Sequence, residues 1–118
     1  PPNLRVLAPL HWPGFRNRFE RELNRMLLWR ALRSRFVAER DPPAATVATA
    51  PTPADLAAST RRFPWVYYCV DDFSQWPGLD GDALGKLEVE LARHVRVTIA
   101  ASEHLRPACA ALASRRRS

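Results

Sequence analysis

Two adjacent carboxylates, Asp71 and Asp72, close a run of β-forming residues, WVYYCV, and open the turn-rich stretch DDFSQWPG. A carboxylate at the end of a strand can position a substrate hydroxyl or take its proton. The same group can instead cap the following turn by accepting backbone N–H bonds, and both roles are open for Asp71 and Asp72. A second polar pair, Ser102-Glu103, ends another apolar run, VRVTIAA. Ser102 reads as a helix N-cap and Glu103 as an acid at a helix N-terminus, with substrate contact as the alternative. Trp76-Pro77-Gly78 either packs a loop or offers its indole for stacking on a sugar. His11, His94 and His104 have no ligand spacing, so no metal site is expected, and the residues call for no cofactor. Cys69 and Cys109 are too few for a disulfide framework and read as buried, reduced thiols of a cytosolic protein.

The elements that must position these groups alternate. Residues 4–10 are a short strand candidate, with Pro9 near its end, and His11-Trp12-Pro13-Gly14 is a turn. Residues 15–40 are rich in Arg, Leu, Glu and Ala with no Pro or Gly, which predicts a helix stopped at Asp41-Pro42-Pro43. ATVATA, residues 45–50, reads as a strand. Thr52-Pro53-Ala54-Asp55 then reads as a helix start, with Thr52 as N-cap and Pro53 in the first turn, running to about residue 62. The run Val66, Tyr67, Tyr68, Cys69 and Val70 shows no polar alternation, as for a strand covered on both faces. Residues 80–94 form the next helix, with Leu84, Leu87, Leu91 and Val95 along one side and an internal acid, Glu88. After the VRVTIAA strand, Ser102 starts a last helix ending in Arg115-Arg116-Arg117. This order favours a parallel, doubly wound sheet flanked by helices over a bundle.

The chain of 118 residues carries a net charge of +6 and a pI near 10.6. Hydrophobic residues make up 47% and charged residues 25%, which excludes wholesale disorder. No apolar run approaches the ~20 residues of a membrane span. Eight arginines from Arg16 to Arg40 stand against Glu20, Glu22 and Glu39. On a helical wheel Phe19, Leu23, Met26 and Leu27 share one side, with Arg18, Arg21 and Arg25 roughly opposite; beyond Leu28 the sides exchange. Such a segment either lies on an anionic membrane, with Arg18, Arg21 and Arg25 at lipid phosphates, or covers a sheet with its basic face in water. Nucleic-acid binding is disfavoured, because no helix-turn-helix, zinc-finger spacing or RNA-binding aromatic motif accompanies the charge.

From residue 65 to 105 the string resembles the amino-terminal, acceptor-side half of GT-B glycosyltransferases of the group 1, family 4-like class. The resemblance is carried by Val70-Asp71-Asp72, by Leu87-Glu88 in the following helix, and by Val97-Thr98-Ile99-Ala100-Ala101-Ser102-Glu103-His104-Leu105. A subset of bacterial members is also similar across YCVDDFS-x-WPG. Where many members carry His, this chain has Asp71. The resemblance implies an α/β fold, a Rossmann-like partial domain with a short, mostly parallel sheet flanked by helices. It implies transfer of a sugar from a nucleotide-activated donor to a hydroxyl acceptor of a polysaccharide or lipid-linked glycan. Asp71 and Asp72 would be the catalytic candidates, and Thr52, Phe73, Trp76, Ser102 and Glu103 the substrate-binding ones. Because 118 residues hold one domain at most, they are expected to be a fragment without the nucleotide-sugar domain, inactive alone and cytoplasmic. The alternative is a non-catalytic basic module that meets a membrane or a protein partner through residues 15–40.

Overall fold

The computed structural model describes residue 4, residues 6–38 and residues 43–116. They fall into two compact units, Pro1–Pro42 and Pro43–Ser118. In the first, residues 4 and 6–10 form no strand. Pro9 lacks the N–H that a ladder needs, and no partner strand pairs with them among the described residues. Helix α1, Arg18–Ala38, starts after residue 15 because Asn17 caps it. The Asn17 side-chain oxygen accepts the Glu20 N–H at 2.9 Å, while its amide donates to Glu20 Oε1 at 3.1 Å, satisfying a helix-end donor. Trp12 Nε1 donates to Glu20 Oε2 at 2.8 Å, and Asn24 binds the backbone of Trp12 and Gly14. The expected helix end at 39–40 and the stop at Asp41-Pro42 lie outside the described residues.

The second unit runs β1 (Thr46–Ala48), α2 (Ala54–Ser59), β2 (Trp65–Cys69), a 3-10 turn (Phe73–Gln75), α3 (Gly81–His94), β3 (Val97–Ala100) and α4 (Arg106–Arg116). The strands pair in parallel in the order β1-β2-β3. The fold is thus α/β, a small parallel sheet with helical crossovers. Successive crossovers of one hand between neighbouring strands put their helices on one face of the sheet. Accordingly α2 packs on α3, and α4 packs on α3 and β3.

Between that face and the helices lies the core. Tyr67, Leu56, Leu87, Leu91 and Val95 are its largest fully buried side chains, joined by Trp65, Cys69, Leu84, Cys109 and Leu112. The register sets Val47 beside Val66 and Val97, and Tyr68 beside Ile99, on the other face. There Val47, Tyr68, Val97 and Ile99 are exposed. β2 was expected to be covered on both faces and is covered on one, because both crossovers of this unit fall on the same side.

Three helix boundaries differ from expectation. Thr52 is exposed and caps nothing: the N-cap of α2 is Pro53, without a side-chain bond, and the helix begins from a backbone turn in which the Pro51 carbonyl accepts the Ala54 N–H at 3.1 Å. The same helix ends at Ser59. There Thr60 Oγ1 donates to the Leu56 carbonyl at 2.7 Å and accepts from the buried Trp65 indole at 2.9 Å. Ser102 does not cap α4 either. A turn intervenes, the carbonyls of Ser102 and Glu103 accepting the N–H groups of Leu105 and Arg106, and the helix starts only at Arg106. By contrast Asp80 does cap α3, accepting the Ala83 N–H at 3.1 Å.

Candidate functional site

Parallel strands send all their following loops out at one edge, the edge where open α/β sheets hold ligands. Thr52 follows β1, the stretch from Asp71 to Trp76 follows β2, and Ser102-Glu103 follows β3. The topology therefore gathers every residue expected to contact a substrate on the carboxyl edge of the sheet. Their fine geometry separates them.

After β2 the chain turns at once. Asp71 Oδ1 accepts the Asp72 N–H at 2.8 Å, and the Asp71 carbonyl lies 3.6 Å from the Cys69 thiol that donates to it. Asp71 is exposed, Asp72 half-buried. The Asp72 carbonyl accepts the Gln75 N–H at 3.1 Å, closing the 3-10 turn that carries Phe73. The Phe73 and Trp76 rings stand 5.3 Å apart, tilted by 40°, a favourable aromatic pairing that leaves Trp76 46% exposed. Gly78 completes the turn at φ 79°, a left-handed conformation that glycine takes without strain.

After β3 the loop borders a cavity of about 650 Å³, lined by Thr98, Ala101, Ser102, Glu103, Arg106 and Cys109 among others. Glu103 Oε2 accepts from Arg106 at 3.3 Å, with both side chains largely in water. Such a pair is worth little by itself, so either partner can turn to a ligand. The cavity brings Ser102 and Glu103 together; Asp71, Asp72, Phe73, Trp76 and Thr52 are not on its wall.

Behind the two loops sits a pair that sequence reasoning did not place in the site. Tyr67 OH donates to Glu88 Oε2 at 2.7 Å, joining β2 to α3. Burial raises the Glu88 carboxyl above its ordinary range; the Tyr67 bond opposes this and the charge of Asp72 adds to it. Burial, then the Glu88 bond, pushes the Tyr67 phenol up. Glu88 was visible in sequence as an acid within an apolar helix pattern, whereas its partner was not. The Cys109 thiol, hydrogen-bonded with Cys69, is pushed up to about 12, mainly by burial, which makes it a poor nucleophile. Both cysteines are free and buried. Among the described residues no group of three or more His, Cys, Asp or Glu side chains is placed to hold a metal.

In the first unit, Arg18 is exposed but Arg21 and Arg25 are half-buried, and Arg25 pairs with Glu22. The three arginines expected at a membrane thus do not form one exposed row. No described helix is long and apolar enough to cross a membrane. Comparison with known protein families, curated proteins and solved structures finds no match to this chain.

Proposed function

We propose that the second unit is the Rossmann-like, acceptor-side part of a GT-B glycosyltransferase of the group 1, family 4-like class. The observation that carries this reading is the convergence on one sheet edge of the Asp71-Asp72 turn, the Phe73–Trp76 aromatic pair and the cavity behind Ser102-Glu103. Stacked and edge-on aromatics suit sugar faces, and a half-buried carboxylate beside them suits a hydroxyl. Asp72 is half-buried beside the aromatic pair whereas Asp71 is exposed, so Asp72 is the better candidate for the group that positions or deprotonates the acceptor. Ser102, Glu103 and Arg106 would hold its polar substituents. In that class a second domain grips the nucleotide diphosphate, and the second unit would supply the acceptor side.

The test is an NMR titration of the ¹⁵N-labelled chain with neutral and anionic oligosaccharides, with a nucleotide sugar alongside. Binding should move the amide signals of Asp72, Phe73, Trp76, Ser102 and Arg106, and Asp72→Asn should weaken it more than Asp71→Asn. Absence of shifts with every saccharide at millimolar concentration sinks the acceptor-site reading. Turnover of a nucleotide sugar by the chain alone would sink the division of labour.

A further inference from the structure

The exposed positions of α1 are not scattered. Arg18, Phe19, Glu22, Met26, Arg30 and Arg33 are its exposed residues through Arg33. At about 100° per residue they fall within roughly a third of the helix circumference. Positions on the remaining arc, from Leu23 and Leu27 round to Arg21 and Arg25, are half-buried. The exposed stripe is therefore a mixed one. Phe19 is 76% and Met26 55% exposed, a phenyl ring and a thioether set one above the other at i and i+7, with Arg18 before them and Arg30 and Arg33 after. Its single acid, Glu22, is bonded to Arg25, and that bond holds its carboxyl below the usual range. Among the described residues of the stripe, three cations thus stand with one acid, and that acid is already paired with Arg25.

We infer that this stripe of Arg18, Phe19, Met26, Arg30 and Arg33 is a docking surface for an anionic lipid bilayer. Charge complementarity selects the occupant: guanidinium groups at three points meet lipid phosphates, and the two apolar side chains between them enter the acyl boundary, as interfacial helices do. A bare polyanion would use the arginines and leave Phe19 and Met26 without a role. The inference does not rest on the transferase reading, since it concerns the other unit and is read without activity.

The experiment is co-sedimentation of the whole chain with phosphatidylcholine vesicles, with and without phosphatidylglycerol, at low and raised salt. Wild type should pellet with the anionic vesicles only, and release as salt rises. At roughly 1 kcal/mol per arginine near a charged surface, equivalent to about five-fold each, R30Q/R33Q should bind about twenty-fold more weakly. Arg21→Gln, on the opposite arc, should bind as wild type does, and F19S/M26S should lose most of the binding that survives raised salt. Circular dichroism of each variant confirms that α1 is intact. The inference falls if wild type leaves anionic vesicles unbound at low salt. It falls equally if Arg21→Gln loses as much as R30Q/R33Q. Retention by F19S/M26S at the wild-type level would mark a general polyanion surface, such as one for nucleic acid, and overturn it too.

Discussion

The two largest contributions at the Glu88 carboxyl oppose each other. Burial penalises its charge and the Tyr67 hydroxyl at 2.7 Å stabilises it, with burial the larger. An acid whose folded-state pKa is raised contributes stability that is complete below its unfolded pKa and is lost as pH rises through the folded value. Glu88→Gln keeps an oxygen for Tyr67 and cannot ionise. The variant should therefore gain stability relative to wild type between pH 4 and pH 7. Urea denaturation at the two pH values measures it. A relative loss over that interval would mean that the Tyr67 bond to the carboxylate outweighs burial. Only half of this pair was legible in the sequence: an acid among Leu84, Leu87 and Leu91 signals a special position, but its partner lies on another element, and side-chain direction across a crossover leaves no mark in local spacing. Asp71 and Asp72 were legible as a pair, whereas the exposure of Asp71 and the partial burial of Asp72 depend on how the turn folds back.

In the second unit the start of α3 follows a local side-chain signal. Asp80 accepts the Ala83 N–H at the start of α3, and such a cap is worth about 1 kcal/mol. Asp80→Ala should cost about that amount in the denaturation midpoint of the second unit while leaving its helical content in place; a change under a few tenths of a kcal/mol would show that α3 is held by its buried leucines alone. Where the backbone sets the boundary, the sequence misled. Thr52-Pro53 has the composition of a cap and first turn, yet the Pro51 carbonyl starts α2. Ser102 likewise looked like a cap, but the turn after β3 needs Leu105 buried before α4 can begin. The unbroken apolar run of β2 suggested cover on both faces. Such a run cannot report on which side the crossovers fall, and here both fall on one.

As a whole molecule the chain keeps its core in one place. Among the described residues the buried side chains, from Ala48 to Leu112, all belong to the second unit. Residues 43–118 expressed alone should therefore unfold cooperatively in urea, followed by far-ultraviolet circular dichroism and by Trp65 fluorescence. Non-cooperative melting of the fragment would mean that the first unit is required for the core. The βαβ order that ran through the sequence predicted this unit well, because each strand and helix is short, strongly patterned and separated by Pro, Gly or Asp. The first unit was less legible, since its cap depends on Asn17 and Glu20 meeting and its loop on Asn24 reaching back to Trp12 and Gly14. The sheet has a further consequence. With the order β1-β2-β3, both outer strands leave one row of backbone N–H and C=O groups off the ladder, and such rows template addition of foreign strands. β1 offers three residues and β3 four, with the outward Val97 and Ile99 on β3 alone making a strip that is both apolar and hydrogen-bond hungry. On concentrating the protein, aggregation should accordingly start at β3, and Val97→Lys should delay its onset in light scattering.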